Sequence, residues 1–467
     1  MRPRLDAVHV LTLVLVLLVA LPSRLTFAPL GGAGAPALIM GLGCFAWWAY
    51  HRAQRVTIVS SATRPMPTAL FVVMACFLAS YVVAMTRAID PDESRTADIG
   101  IMLLVSWAGI LLLAHDGTPS RERLDVLVRR VIFAGGAVAT LGVIQFVTGQ
   151  VWIDHVSIPG LSVNTSMGGV FERDGFNRPA GTAIHPIEFG AVITMIFPLA
   201  LNSALTDRAR GVVRRWYPVL AIGLAVMLSI SRSTIVSAVV AVLVVAVAWT
   251  PTIRWRAALI GTFFLGVVFL AVPGLFGTLK GLFTGLGDDA SAQSRTGSYA
   301  IASEFIERSP VFGRGFSTFL PKYRILDNQY LGLVIEVGVA GLLAVLWLFL
   351  VGAVLARRVR LTARDEPTRQ MAQSLAAAIS AGAVGLAFYD GFSFPMATGV
   401  LFLMLGLAGG LHRLQHDGSM VHRGRYDAEQ LSSDGRLLGR SSASTAARLS
   451  RLPRSARDVS PSTARQK

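Results

Sequence analysis

The chain has 467 residues, 53% of them hydrophobic and 15% charged, with a formal net charge of +16. Its apolar residues come in membrane-length blocks rather than in the short periodic segments of a soluble core, which excludes a water-soluble globular domain. The basic residues gather in short connections between those blocks and in the C-terminal tail, as topology determinants do, so no nucleic-acid partner is expected. Cys44 and Cys76 both sit inside apolar runs. They give neither a disulfide framework nor metal-ligand spacing, and they read as small packing residues.

The N-terminal stretch "MRPRLDAVHVLTLVLVLLVALPS" has the pattern of a signal peptide. With so many apolar runs following it, an uncleaved first span is the better reading. Runs fall near 8–22, 34–50, 68–85, 99–114, 126–148, 187–204, 217–250, 257–275, 329–355, 371–389 and 396–412. The run 217–250 is too long for one crossing, because about 34 residues make a helix near 50 Å. It is interrupted by "SISRS", with Arg232 in the middle. An arginine at mid-membrane costs about 2.5–3.5 kcal/mol on insertion scales, so a water-exposed turn is favoured there.

Splitting that run predicts an all-α polytopic membrane protein of about twelve spans. Charge agrees with the split. With the N-terminus inside, Arg52/Arg55/Arg64, Arg121/Arg123/Arg129/Arg130, Arg208/Arg210/Arg214/Arg215, Arg254/Arg256 and Arg357/Arg358/Arg360/Arg364/Arg369 all face the cytoplasm, together with the tail. The reading is therefore a multi-pass plasma-membrane protein with both termini cytoplasmic. The membrane domain covers 1–413, and 414–467 reads as an Arg/Ser-rich, disordered cytoplasmic tail. Two long extracytoplasmic loops remain, about 149–186 and about 276–328. The second is expected to be partly helical, since "TGSYAIASEFIERSP" has helical apolar spacing.

Polar residues at the outer ends of the spans are the candidates for chemistry. Arg178 in "FNRPAGT", Arg232 in "SISRST", Arg295 in "SRTGS" and Arg314 in "FGRGF" share that face. Converging guanidinium groups suit a diphosphate, because arginine stays charged and its planar fork pairs with phosphate oxygens. A lipid-linked pyrophosphate places its anion at this depth, and the same groups would stabilise a departing diphosphate. No clustering of His, Asp and Cys marks a metal cage, and neither metal nor cofactor is expected. In "RILDNQYLGLVIEVGVAG", Asp327 could accept a proton from a sugar hydroxyl or cap the following helix. Asn328 and Gln329 could bond sugar hydroxyls, and Glu336, deeper in the run, needs a partner or a proton. His185, beside Glu188 in "AIHPIEFG", reads as an acid/base group or as a structural hydrogen-bonding residue. Gly338 and Gly341 read as helix-packing residues, and Tyr389 and Asp390 as an interfacial anchor and a turn residue.

This ordered set resembles the O-antigen ligase and O-antigen polymerase superfamily of bacterial envelope glycosyltransferases. The resemblance rests on "SRST" at 231–234, then "SRTGSYAIASEFIERSPVFGRGFSTF", then "DNQYLGLVIEVGVAG", covering roughly 230–345 within a family-like core of about 187–355. It implies a metal-independent transferase with a polyprenyl-diphosphate-linked glycan donor, a glycan or lipid-linked acceptor, membrane lipids around it and a chain-length regulator as partner. The family's essential arginines correspond to Arg232, Arg178 and Arg295. Ligases of this family typically carry histidine where this chain has Asp327, so the resemblance points toward polymerisation of capsule, exopolysaccharide or cell-wall glycan. The rival reading is a lipid-linked oligosaccharide flippase. Alternating access, however, asks for midplane charges and broken helices in both halves, whereas these polar groups gather in outer loops.

Overall fold

The computed structural model describes residues 6–54, 64–164, 171–284 and 290–417, with the side chains of 290–296 outside that description. The chain divides into two units, Met1–Arg413 and Leu414–Lys467. Beyond residue 417 the expected tail lies outside the described residues.

The described residues form fourteen α-helices. These are α1 (Ala7–Val19), α2 (Pro36–Gln54), α3 (Pro65–Met85), α4 (Pro91–Gly117), α5 (Arg121–Thr148), α6 (Pro186–Thr206) and α7 (Val212–Leu228), then α8 (Arg232–Ala246), α9 (Pro251–Ala271), α10 (Leu275–Thr284), α11 (Ala290–Arg308), α12 (Gln329–Thr362), α13 (Glu366–Gly385) and α14 (Pro395–Asp417). Seven of them (α3, α4, α5, α6, α9, α12 and α14) are long and apolar enough to cross a membrane. An eighth span results if the bent pair Ala28–Gly34 and α2 is taken as one. The protein is a polytopic helical membrane protein. The count falls short of twelve for physical reasons. Helices α1 and α8 are only 13 and 15 residues long, and α7 and α13 begin with charged turns, "VVRRW" and "EPTR".

The 217–250 run does break near Arg232. Helix α7 ends at Leu228 and α8 starts at Arg232, with Ile230 in the left-handed region at φ 45°. A β-branched residue in that region is strained, so packing has to hold the turn. Ile230 is fully buried in a cluster with Leu228, Val268, Leu275 and Leu279, which ties α9 and α10 to this corner.

The 149–186 loop departs from an all-α description. It holds strand β2 (Leu161–Val163), paired antiparallel with β1 (Leu25–Phe27), and a hairpin of β3 (Phe171–Arg173) with β4 (Phe176–Arg178). The hairpin turns on Asp174-Gly175, both with positive φ, as two-residue hairpins require.

Lipid tails are as apolar as leucine, so helix association in a membrane depends on close packing of small residues rather than on the hydrophobic effect. Helices α2 and α4 approach so closely that a Cβ on Gly109 would lie 2.2 Å from the Gly41 carbonyl oxygen. Helix α13, rich in Ala, Ser and Gly, packs against α6, α8 and α12.

Polar contacts gather the connections at two ends. At one, Ser23 N–H donates to the Thr182 carbonyl (2.9 Å), Gln145 bonds Gly181 in both directions, and Gln329 N–H donates to the Leu386 carbonyl (2.9 Å). At the other, Arg123 pairs with Asp6 (2.7 Å), Arg121 Nε donates to Thr368 (3.2 Å) and Arg413 Nε donates to the His115 carbonyl (3.0 Å).

Candidate active site

Helix α12 is broken near its start. Gly338 has φ 67° and ψ −174°, so the backbone leaves the helix there and rejoins it afterwards. Such a break strands amide and carbonyl groups that lipid cannot satisfy. The "PVFGRG" segment satisfies them. Arg314 N–H donates to the Ile335 carbonyl (3.0 Å) and Gly315 N–H to the Glu336 carbonyl (2.9 Å), while Val339 N–H donates to the Pro310 carbonyl (2.9 Å) and Ala340 N–H to the Val311 carbonyl (3.1 Å). Ser80 on α3 adds a hydroxyl bond to the Glu336 carbonyl (2.6 Å). The expectation that Gly338 serves helix packing is corrected: it seats an extended loop in a broken helix. Glu336 finds its partner in the same segment, where Phe319 N–H donates to its carboxylate at 3.1 Å.

The N-terminus of α12 is capped by Asn328 rather than by Asp327. Asn328 Oδ1 accepts from the amides of Tyr330 (3.0 Å) and Leu331 (3.3 Å). Gln329, only 2% exposed, accepts from Phe392 N–H at 2.6 Å and so locks the 386–394 connection onto the start of α12. A cavity of about 360 Å³ opens beside this junction, lined by Arg24, Arg324, Gln329, Glu336 and Asp390 among others.

Asp390 is the residue that sequence reasoning passed over as a turn. Its carboxyl is pushed up to about 6 by burial; the Ser393 hydroxyl bond opposes this and the charge of Asp327 adds to it. A carboxylate in a short "YDG" connection between two apolar runs was the available signal, but only the fold places it beside Asp327. Arg24 and Arg324 also lacked a motif, and they reach the cavity through β1 and the segment before α12.

A second cluster lies where the β3–β4 hairpin meets the turn between α7 and α8. Arg178, on β4, donates from Nε to the Ser229 carbonyl (3.3 Å), in the turn that leads directly into Arg232. Arg232 is 8% exposed, beside the Ser231–Ser233 hydroxyl pair (2.9 Å). Burial, with Arg173 adding, lowers the Arg178 guanidinium to about 10. His185 caps α6, its Nδ1 accepting from Ile187 N–H at 3.2 Å. Burial, with Arg178 adding, lowers it to about 4, so the ring is neutral at physiological pH. The ring packs edge-on against Phe171 (4.7 Å) and near Phe394 (6.2 Å). Phe394 sits between Ser393 and Pro395, both of which line the cavity. Glu188, fully buried, accepts from the amides of Ile184 (2.9 Å) and Met396 (2.7 Å) and fixes the start of α6 to the start of α14.

Arg314 sits on the loop docked into the break of α12, within reach of Glu336 at the cavity. Arg314 makes a short ion pair with Glu93 on α4, and its guanidinium lies over the rings of Phe305 (4.7 Å) and Tyr323 (4.9 Å). Glu93 also accepts from Arg87 and from the Tyr323 hydroxyl, each at 2.5 Å. The Arg295 side chain lies outside the described residues, on α11. Among the described residues, no group of three or more His, Cys, Asp or Glu side chains is placed to hold a metal ion.

Residues 217–346 match the family model described as O-antigen ligase. Over this segment, the chain is similar to the O-antigen ligase family. A search of the curated proteins found no match. The O-antigen ligase segment holds Arg232, Arg295, Arg314, Asp327 and the broken part of α12. It leaves Arg178, His185 and Asp390 to be joined to it by folding alone.

Proposed function

We propose that this O-antigen ligase-like protein is a glycosyltransferase that polymerises or ligates polyprenyl-diphosphate-linked oligosaccharides on the outer face of the plasma membrane. The product would be capsule, exopolysaccharide or cell-wall glycan. The observation that carries the reading is the hydrogen bond of Arg178 to the turn that leads into Arg232, together with a carboxylate-lined cavity at the start of α12, in a chain whose residues 217–346 match the O-antigen ligase family model. In this reading α1, α2, α7, α8 and α13 are taken to cross as well, alongside the seven longer apolar helices, for the twelve crossings expected from the sequence. An even number puts both termini on one side, and the arginine-rich connections put that side in the cytoplasm.

In this reading the donor's diphosphate rests on Arg178, Arg232 and Arg295, and the acceptor glycan enters the cavity. The acceptor hydroxyl oxygen bonds to the anomeric carbon as the carbon–oxygen bond to the diphosphate breaks, its electron pair leaving with the diphosphate. Asp327 accepts the hydroxyl proton, and the arginines stabilise the negative charge on the leaving group. Direct displacement inverts the anomeric centre. Asp390 and Gln329 position acceptor hydroxyls, and charge neutralisation by guanidinium groups lets the reaction proceed without metal. A chain-length regulator would act on the same product.

Purified protein given a lipid-linked donor tests this. Arg232→Ala and Asp327→Ala are expected to abolish chain extension, read as product length on a gel. Undiminished extension in both variants would remove the mechanism. A flippase would instead leave the repeat units unextended in the wild-type protein as well.

A further inference from the structure

A second, larger cavity of about 860 Å³ lies at the other side of the bundle, floored by α5 and walled by α1 and α7. Five arginines line it: Arg129 and Arg130 on α5, and Arg210, Arg214 and Arg215 in and before the first turn of α7. Asp207 offsets part of this charge, reaching Arg129 at 3.6 Å and Arg210 at 3.3 Å. Arg130 donates to Thr12 on α1 (2.5 Å), which holds one guanidinium at the mouth of the groove. Among the described residues, the buried Arg215 Nε has no hydrogen-bond partner. A buried guanidinium nitrogen without an acceptor is costly unless an anion supplies one.

The remainder of the groove is apolar. Leu15, Val16, Phe133 and Ala137 line it, and it runs along α1 to Val19 and Thr182. Thirteen residues of α1 make a groove of about 20 Å, somewhat more than the roughly 15 Å of one leaflet. The cationic end carries the start of α7 and Arg129 and Arg130 of α5, and the apolar end closes against the 149–186 loop, where Thr182 donates to the Val19 carbonyl at 2.5 Å. A set of cations at one end of a leaflet-long apolar slot complements one phosphate-bearing headgroup and its acyl chain. Basic pockets between membrane helices bind anionic lipids by this complementarity.

We propose that the groove between α1, α5 and α7 is a binding site for an anionic phospholipid of the phosphatidylglycerol class, its phosphate on Arg214 and Arg215 and its acyl chain against Val16, Phe133 and Ala137. The site is separate from the proposed glycosyl-transfer site and does not depend on that reading.

The test uses the full chain purified in detergent, with phosphatidylglycerol, phosphatidylcholine and inorganic phosphate as separate probes. Native mass spectrometry reads bound lipid, and thermal unfolding reads stabilisation. Phosphatidylglycerol is expected to stay bound and to raise Tm. The double variant R214Q/R215Q should weaken that binding at least about tenfold. Ala137→Phe, on an exposed position of α5, should do the same by filling the acyl slot while keeping every charge. A double variant R357Q/R358Q, at the end of α12, should bind as wild type. Equal effects of phosphatidylcholine or of inorganic phosphate would overturn the proposal, as would unchanged binding by R214Q/R215Q. So would tighter binding of a polyprenyl phosphate that displaces the phospholipid.

Discussion

A methyl group placed on Gly338 would lie 2.2 Å from the carbonyl oxygen of Val311. The reciprocal position is just as tight, since a Cβ on Gly313 would lie 2.3 Å from the carbonyl carbon of Glu336. The loop and the broken helix therefore fit only through two residues without side chains, and both have positive φ. Gly338→Ala is expected to destabilise the protein by roughly 3 kcal/mol or more, from left-handed strain together with a clash against backbone. Gly261→Ala on α9 meets nothing within 4 Å and should change stability by less than about 1 kcal/mol. Thermal unfolding of the two variants in one detergent checks the contrast.

Arg314 is held by Glu93, and its loss should register as stability. Removing one partner of a buried ion pair costs about 3–5 kcal/mol. Arg87 remains on Glu93, so Arg314→Ala should fall toward the lower part of that range. The double variant E93Q/R314Q should recover part of the loss, because no uncompensated charge is left. Folded Arg314→Ala should keep the donor KM of wild type. A KM raised tenfold or more at unchanged Tm would instead place Arg314 on the substrate.

Asp327 and Asn328 divide two roles between neighbours. Asn328→Ala removes the cap of α12 and should cost about 1 kcal/mol, while Asn328→Asp should retain it. Asp327→Asn should leave stability within about 0.5 kcal/mol of wild type but lower turnover by about 100-fold or more. Measuring Tm and product length on the same preparations separates capping from proton transfer.

Asp390 sets a pH dependence of known sign. Its folded-state carboxyl stands at about 6, above the ordinary 3.8, so folding favours its protonated form. The associated stability is fully present below about pH 4 and is lost as pH rises through 6. Asp390→Asn stays neutral throughout. The Tm of this variant relative to wild type should therefore rise between pH 4 and pH 7.5, and a flat difference would show that the carboxyl is not desolvated in solution.

The membrane character of this chain was legible in its apolar runs, and so was the break before Arg232, because an arginine in hydrocarbon forces a turn. The three stretches "SRST", "SRTGSYAIASEF" and "DNQYLGLVIEVG" were also readable, since each is local. The assignment of side chains to a shared space was not. Arg314 and Glu93 are 221 residues apart in sequence, and nothing near either one names the other. The cap fell on Asn328 rather than Asp327 because Asn328 directly precedes Gln329, the first residue of α12, and both neighbours have side chains able to cap. Gly338 looked like a packing residue because a helix break and a close helix contact both require glycine, and only the docked loop tells them apart. Local sequence thus determined which segments enter the membrane, through the free energy of transferring each residue to hydrocarbon. Tertiary structure decided which polar groups are neutralised by one another and which still face a cavity, because that depends on partners brought together only when the helices pack.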